Sequence, residues 1–336
     1  MNFYNKINRI GKLAPTIFKI LKYLSVQRSF LGKNVDPILS GARQLNDGSL
    51  DDTDFKKIEN YYGLAVPAIL GEAWCALHNK KMSFVERWTA TAQGVMTGLF
   101  DDFFDRAYLS DDAIAKMLNE NNKGTKKSNE KLFQFFYAKA LEGAPDKKKM
   151  QQALMEVYNA QLESKKQEQE TLTEEEIKTI TFLKGGTSLL FYRSAFLPLA
   201  SNDEEKLLFH LGSVMQLSND IFDVYKDRQQ NIKTLITTAM HIRPIRRLLE
   251  FELAACSKAA YNTAFPRKNI TSFLSILSIG IFSRAFVCLD HLQSNESTTN
   301  NEFAVQQYSR EQLICDMDKK RNMLRSAAYH AAGIGL

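Results

Sequence analysis

Cysteine, proline and long hydrophobic runs are scarce in this chain, and each scarcity excludes something. Its 336 residues include four cysteines, Cys75, Cys256, Cys288 and Cys315. They stand far apart, so no C-x-x-C pair exists for a zinc ribbon or a dithiol redox centre. Scattered thiols in a chain this long point to free, buried cysteines and a reducing, cytoplasmic setting. Seven prolines and sixteen glycines are few. No alternating β-branched run bounded by hairpin turns occurs, which excludes a β-sandwich or barrel. No secretory signal pattern is evident. The most hydrophobic stretch, TSFLSILSIGIFSRAFVCL, is interrupted by Arg284. Its charge-free part is too short to span a bilayer and reads as a buried helix.

The net charge is +6, and the lysines are spread out except in NNKGTKKSNEK and PDKKKM. Those clusters read as solvated loops. They lack the interleaved aromatics of a nucleic-acid stacking platform, so nucleic acid is not an expected partner. Residues 1–35 form a basic amphipathic segment. Lys6, Arg9, Lys12, Lys19 and Lys22 alternate with Ile7, Ile10, Leu13, Ile17, Phe18, Ile20 and Leu21, in a pattern broken by Pro15. Such a segment either caps the domain with its apolar stripe or lies on an anionic membrane.

Helix signals fill the remainder. Ser83 with Glu86, Thr173 with Glu176 and Ser201 with Glu204 have capping-box spacing before apolar runs. Pro145 and Pro198 stand at expected helix ends. Breaks are expected near 119–129, 143–147, 200–203 and 293–302. The expectation is one all-α domain over 1–336, with its motif-bearing core at 60–235.

Two acidic stretches carry the chemistry. GLFDDFFDRAY places Asp101, Asp102 and Asp105 among Leu99, Phe100, Phe103 and Phe104. On a helix the three carboxylates share a broad face. Burying a lone carboxylate costs several kcal/mol or more, so apolar neighbours imply a cation. In QLSNDIFDVYKD, Asn219, Asp223 and Asp227 form a stripe at i, i+4 and i+8. Oxygen donors without His or Cys suit Mg²⁺, which commonly binds one or two carboxylates together with substrate phosphates. The physical reading is two cavity walls that hold Mg²⁺ between carboxylates and a diphosphate. The competing reading is two ordinary acidic surfaces.

The pair of motifs resembles the class I isoprenoid enzymes, the terpene synthases and trans-prenyltransferases. DDFFD matches their aspartate-rich D-D-x-x-D motif. NDIFDVYKD resembles the terpene synthase motif (N/D)-D-x-x-(S/T)-x-x-x-E, with Asp223 for the hydroxyl residue and Asp227 for Glu. Read from Gln216, the same stretch resembles the second Asp-rich motif of chain-elongating prenyltransferases. Gly186 stands where their K-T-x-x-L-F has Lys, and Arg106, Ala107, Tyr108 stand where they carry an Arg-Arg pair. Squalene and phytoene synthases, with D-x-x-x-D at both sites, fit less well.

The resemblance implies a class I helical bundle with a central active-site cavity and three Mg²⁺ ions, and a helical homodimer is plausible from the family. The implied reaction is ionisation of a linear prenyl diphosphate, farnesyl or geranylgeranyl, by a terpene cyclase. The alternatives are a trans-prenyl diphosphate synthase and a non-catalytic, partner- or lipid-binding subunit of the same fold. Expected metal ligands are Asp101, Asp105, Asn219, Asp223 and Asp227, with Asp102 and Asp220 off the stripes. Expected diphosphate partners are Arg193, Lys184 and Lys226, then Arg310 beside Tyr308. Arg193 ranks first because an unpaired cation on an apolar helix would be costly. A helix break at Gly185-Gly186 would let Lys184 and Arg193 reach one site. Asp101, Arg193 and Lys226 are the expected catalytic residues. Trp88, Phe100, Phe104, Phe191, Phe196 and Met215 are candidate pocket residues, although for each taken singly plain core packing is the first reading.

Overall fold

A computed structural model of the chain describes residues 3–105, 109–119, 127–169 and 171–333, without the side chains of 3–12 and of Asp105. Arg106 and Tyr108 lie outside the described residues. Among those described, every regular element is helical and no strand occurs.

The helices begin where local chemistry starts them. Ser83 N donates to Glu86 Oε2 at 2.9 Å and Glu86 N to Ser83 Oγ at 3.2 Å, opening the helix Phe84–Asp105. Thr173 and Glu176 exchange the same pair of bonds before the helix Glu174–Arg193. Ser201 accepts from Glu204 N at 3.3 Å before the helix Asn202–Phe222. Each cap satisfies backbone donors that the first turn leaves unpaired. The first helix, Phe3–Asn34, runs through Pro15; the break expected there does not occur.

The chain forms two compact units. One comprises Phe18–Tyr158 and Phe191–Ala200. Here the Phe84–Asp105 helix packs against Ser128–Gly143 through buried Phe100, Phe103, Phe133 and Phe136. Its other side meets π-turns at Ile58–Tyr62 and Val66–Gly71. Gly94 and Gly98 permit that approach. A Cβ at Gly94 would lie 2.4 Å from Tyr62 O, and one at Gly98 would lie 2.7 Å from the Tyr62 ring.

The other unit comprises Met1–Ile17, Asn159–Leu190 and Ser201–Leu336. Its Asn202–Phe222 helix packs against Ile242–Asn262. The stretch Arg267–Glu296 is long and apolar enough to cross a membrane, and 72% of its apolar window is buried. Arg284, within it, lays its guanidinium 5.8 Å from the Phe222 ring centroid.

Candidate functional site

The second acidic motif sits at a helix crossing that glycine creates. The expected break at Gly185-Gly186 is absent: the Glu174–Arg193 helix runs through both residues. The pair serves packing instead. A Cβ at Gly185 would lie 2.0 Å from Gly212 O, and one at Gly212 would lie 2.2 Å from Gly185 O. A Cβ at Gly186 would lie 2.4 Å from the Phe209 ring. Only residues without a side chain allow two helix backbones this close.

The crossing brings Thr181 and Lys184 to the acidic helix. Thr181 Oγ1 donates to Asp220 Oδ2 at 3.2 Å, and Gln216 Nε2 donates to Asp220 Oδ1 at 2.9 Å. Asp220, expected off the stripe, is thus buried and held by two neutral donors. The helix bends at Asp223 before Val224–Gln229. The stripe nevertheless survives, because Asp223 N donates to Asn219 O at 2.8 Å and Asp227 N to Asp223 O at 2.9 Å. Asn219 Nδ2 lies 3.3 Å from Asp223 Oδ2.

These carboxylates act on one another through their charges. Burial raises Asp227 to about 8, and the charges of Asp220 and Asp223 add to it; Lys226 and Lys184 oppose the shift. Burial also lifts Asp220 to about 6, against Gln216, Lys184 and Thr181, which favour its anion. Desolvation and like charge disfavour the ionised form together. Asn219 and Lys226 are exposed, while Lys184, Met215 and Asp223 are half-buried.

The C-terminal segment reaches the same motif. Arg228 Nη1 donates to Val305 O at 3.0 Å and to Tyr308 O at 2.6 Å. The guanidinium of exposed Arg310 lies 5.9 Å from the Tyr225 ring centroid. Tyr225 is within the motif and Arg228 directly follows it, so Arg310 stands beside it.

The first acidic motif belongs to the other unit. Asp101 Oδ2 accepts from Tyr62 Oη at 3.0 Å. Burial, then the Asp101 charge, pushes the Tyr62 hydroxyl well above its usual value. Tyr192 is raised as well, chiefly by burial. Both phenols therefore stay protonated. Asp102 points aside and pairs with Lys57 Nζ at 2.8 Å. The side chain of Asp105 lies outside the described residues. Tyr62 and Tyr192 were missed by sequence reasoning; nothing in their local spacing marks them.

Arg193, expected as an anion partner, is buried and bonded to groups of the protein. It is 2% exposed. Its Nη1 donates to Phe196 O at 2.9 Å and its Nη2 to Pro198 O at 2.7 Å. Nη2 also lies 3.1 Å from His78 Nε2, which must accept because a guanidinium only donates. The guanidinium thus ties the 194–198 turn to the end of its own helix. Lys80 and Glu86 secure the same turn, with Lys80 bonded to Glu86 and to Leu197 O, and Leu197 N donating to Glu86 at 3.2 Å.

The aromatic candidates divide by exposure. Phe100, Phe191 and Phe196 are fully buried core residues. Phe100 stacks on Phe133, and Phe196 meets Trp74 edge-on. Phe104 and Trp88 are half-buried, Phe104 against Phe100 and Tyr158, Trp88 against Phe30.

The donor set suits a hard cation. Around the second motif every acidic donor is a carboxylate oxygen, and a cation would favour the anionic forms of Asp220 and Asp227 that burial disfavours. Among the described residues, no three His, Cys, Asp or Glu side chains converge as a ready-made metal cage. Mg²⁺ bound through one or two carboxylates and substrate phosphates needs no such cage. Asp101 with Asp105, and Asp223 with Asp227, both stand at i and i+4. The D-x-x-x-D spacing judged the poorer fit is therefore present at both acidic stretches.

No protein-family model matches the chain, and no curated protein matches it. Among solved structures, it is similar to a dehydrosqualene synthase crystallised with ligand, at 11% identity and a TM-score of 0.47. That alignment covers 94% of this chain and 99% of the other.

Proposed function

We propose that this chain is a Mg²⁺-dependent terpene synthase that ionises a linear prenyl diphosphate, farnesyl or geranylgeranyl, and releases a terpene and diphosphate. One observation carries the reading. Asp220, Asp223 and Asp227 lie within reach of one another's charge and of Lys184 and Lys226, and burial holds Asp220 and Asp227 against ionisation. A group that binds cation and phosphate together offsets both the anions and the lysines.

Asp101 and Asp105, and likewise Asn219, Asp223 and Asp227, would be Mg²⁺ ligands. Bound Mg²⁺ supplies Lewis-acid neutralisation of the departing diphosphate. Lys184, Lys226 and Arg310 would bind the diphosphate oxygens as charged donors. Asp220, held by Thr181 and Gln216, would fix the helix that carries the ligands. Tyr62 would orient Asp101 through its hydroxyl. Arg193 would hold the 194–198 turn rather than the diphosphate.

A second reading is favoured by the D-x-x-x-D spacing at both acidic stretches. It is the squalene- and phytoene-synthase reaction class, which joins two prenyl diphosphates. The test is product analysis with Mg²⁺ and geranyl, farnesyl or geranylgeranyl diphosphate, each with and without isopentenyl diphosphate. A cyclase makes a hydrocarbon or alcohol of the substrate's own carbon number from one allylic substrate. A product of doubled carbon number assigns the second reading. Strict dependence on isopentenyl diphosphate, or no product from any mixture, overturns both.

A further inference from the structure

The first helix, Phe3–Asn34, has a bare outer face. Phe18 is 71% exposed and Leu21 59% exposed, and Ile17 and Val26 are exposed beside them. At about 100° per residue, Ile17, Leu21, Phe18, Lys22, Val26 and Lys19 follow one another around one arc. Thr16, Ile20, Gln27 and Phe30 lie on the opposite arc and are buried. The helix is therefore already seated by one face, and the large apolar side chains of the other are not needed to hold it. Neighbouring exposed apolar side chains of this size mark an interaction surface.

Charge says what the surface meets. Residues 3–34 contain seven Lys and Arg and no Asp or Glu. Lys19, Lys22, Arg28 and Lys33 are exposed on the same helix. A second copy of this chain would oppose like charges across the contact. An anionic surface with an apolar interior complements both features at once.

We propose that this face rests on an anionic lipid bilayer. Phe18 and Leu21 enter the boundary between headgroups and acyl chains, and Lys19 and Lys22 reach the headgroup phosphates. The inference is independent of the function proposed above.

Co-sedimentation of the full chain with vesicles tests it, using phosphatidylcholine alone or with roughly one-third phosphatidylglycerol. The chain should partition onto the anionic vesicles, weakly onto the neutral ones, and less as salt is raised. The double variant Phe18→Ser/Leu21→Ser should lower the partition coefficient about tenfold or more. Lys19→Glu/Lys22→Glu should do likewise. All four side chains are exposed, so both variants should keep the wild-type circular dichroism and melting temperature. Equal binding to both vesicle types, binding to neither, or unchanged binding by Phe18→Ser/Leu21→Ser overturns the proposal. A concentration-dependent dimer abolished by that variant, without vesicle binding, assigns the face to a second copy.

Discussion

Replacing Gly185 with alanine should destabilise the chain, although alanine is the better helix former. In a free helix the change is favourable by about 1 kcal/mol. Here the new Cβ would lie 2.0 Å from Gly212 O, and 2.6 Å from Gly212 C. These are backbone atoms, so no rotamer change relieves the clash. To reach ordinary contact the two helices must separate by about 1 Å or more, opening the packing around them. Overpacking of this kind costs about 1–3 kcal/mol, and occasionally more. With the clash on backbone atoms at 2.0 Å the cost should reach the upper end of that range, about 3 kcal/mol, leaving a net loss of about 2 kcal/mol after the propensity gain. The separation should also break the bond from Thr181 to Asp220, which spans the two helices. Gly41→Ala is the matched control. It lies in the helix Asp36–Gln44, and its Cβ would meet nothing within 4 Å. That variant should be neutral or stabilised by up to about 1 kcal/mol. Urea unfolding followed by circular dichroism reads both. A Gly185→Ala midpoint at or above wild type would refute the close backbone crossing and the placement of Lys184 that rests on it.

Two further outcomes follow from the site geometry. Arg193→Ala should cost about 2–4 kcal/mol, because it strands two backbone carbonyls and leaves a cavity. Arg193→Lys should recover only part of it, since an ammonium lacks the planar fork. Wild-type stability in Arg193→Ala with turnover lost would instead make it a diphosphate ligand. At Asp223, serine should keep measurable turnover and alanine should lose more, because an oxygen at i+4 from Asn219 is the feature required. Equal rates in the two variants would remove Asp223 from the ligand set.

Helix starts at Glu174 and Phe84 were legible because capping boxes are local, needing only residues three apart. The stripe of Asn219, Asp223 and Asp227 was legible for the same reason, and it survives the bend because the i→i+4 backbone bonds persist. What stayed hidden is tertiary. The donors of Arg193 meet carbonyls of a turn whose path its own helix does not determine. Tyr62 is 39 positions from the carboxylate it holds. The glycine pair at 185 and 186 was visible, yet its reading as a break failed. A glycine in a helix signals a close approach as readily as an end, and Gly212, on the next helix, was the partner to look for.

The most direct test of Mg²⁺-dependent ionisation is release of inorganic diphosphate from farnesyl or geranylgeranyl diphosphate, measured with Mg²⁺ and with excess EDTA. Asp101→Asn belongs in the same assay, because it removes the charge while keeping an acceptor for Tyr62. The account predicts release with Mg²⁺, none with EDTA, and a loss of about 10²-fold or more in the folded Asp101→Asn variant. Undiminished release in EDTA, or wild-type rates in Asp101→Asn, would contradict it.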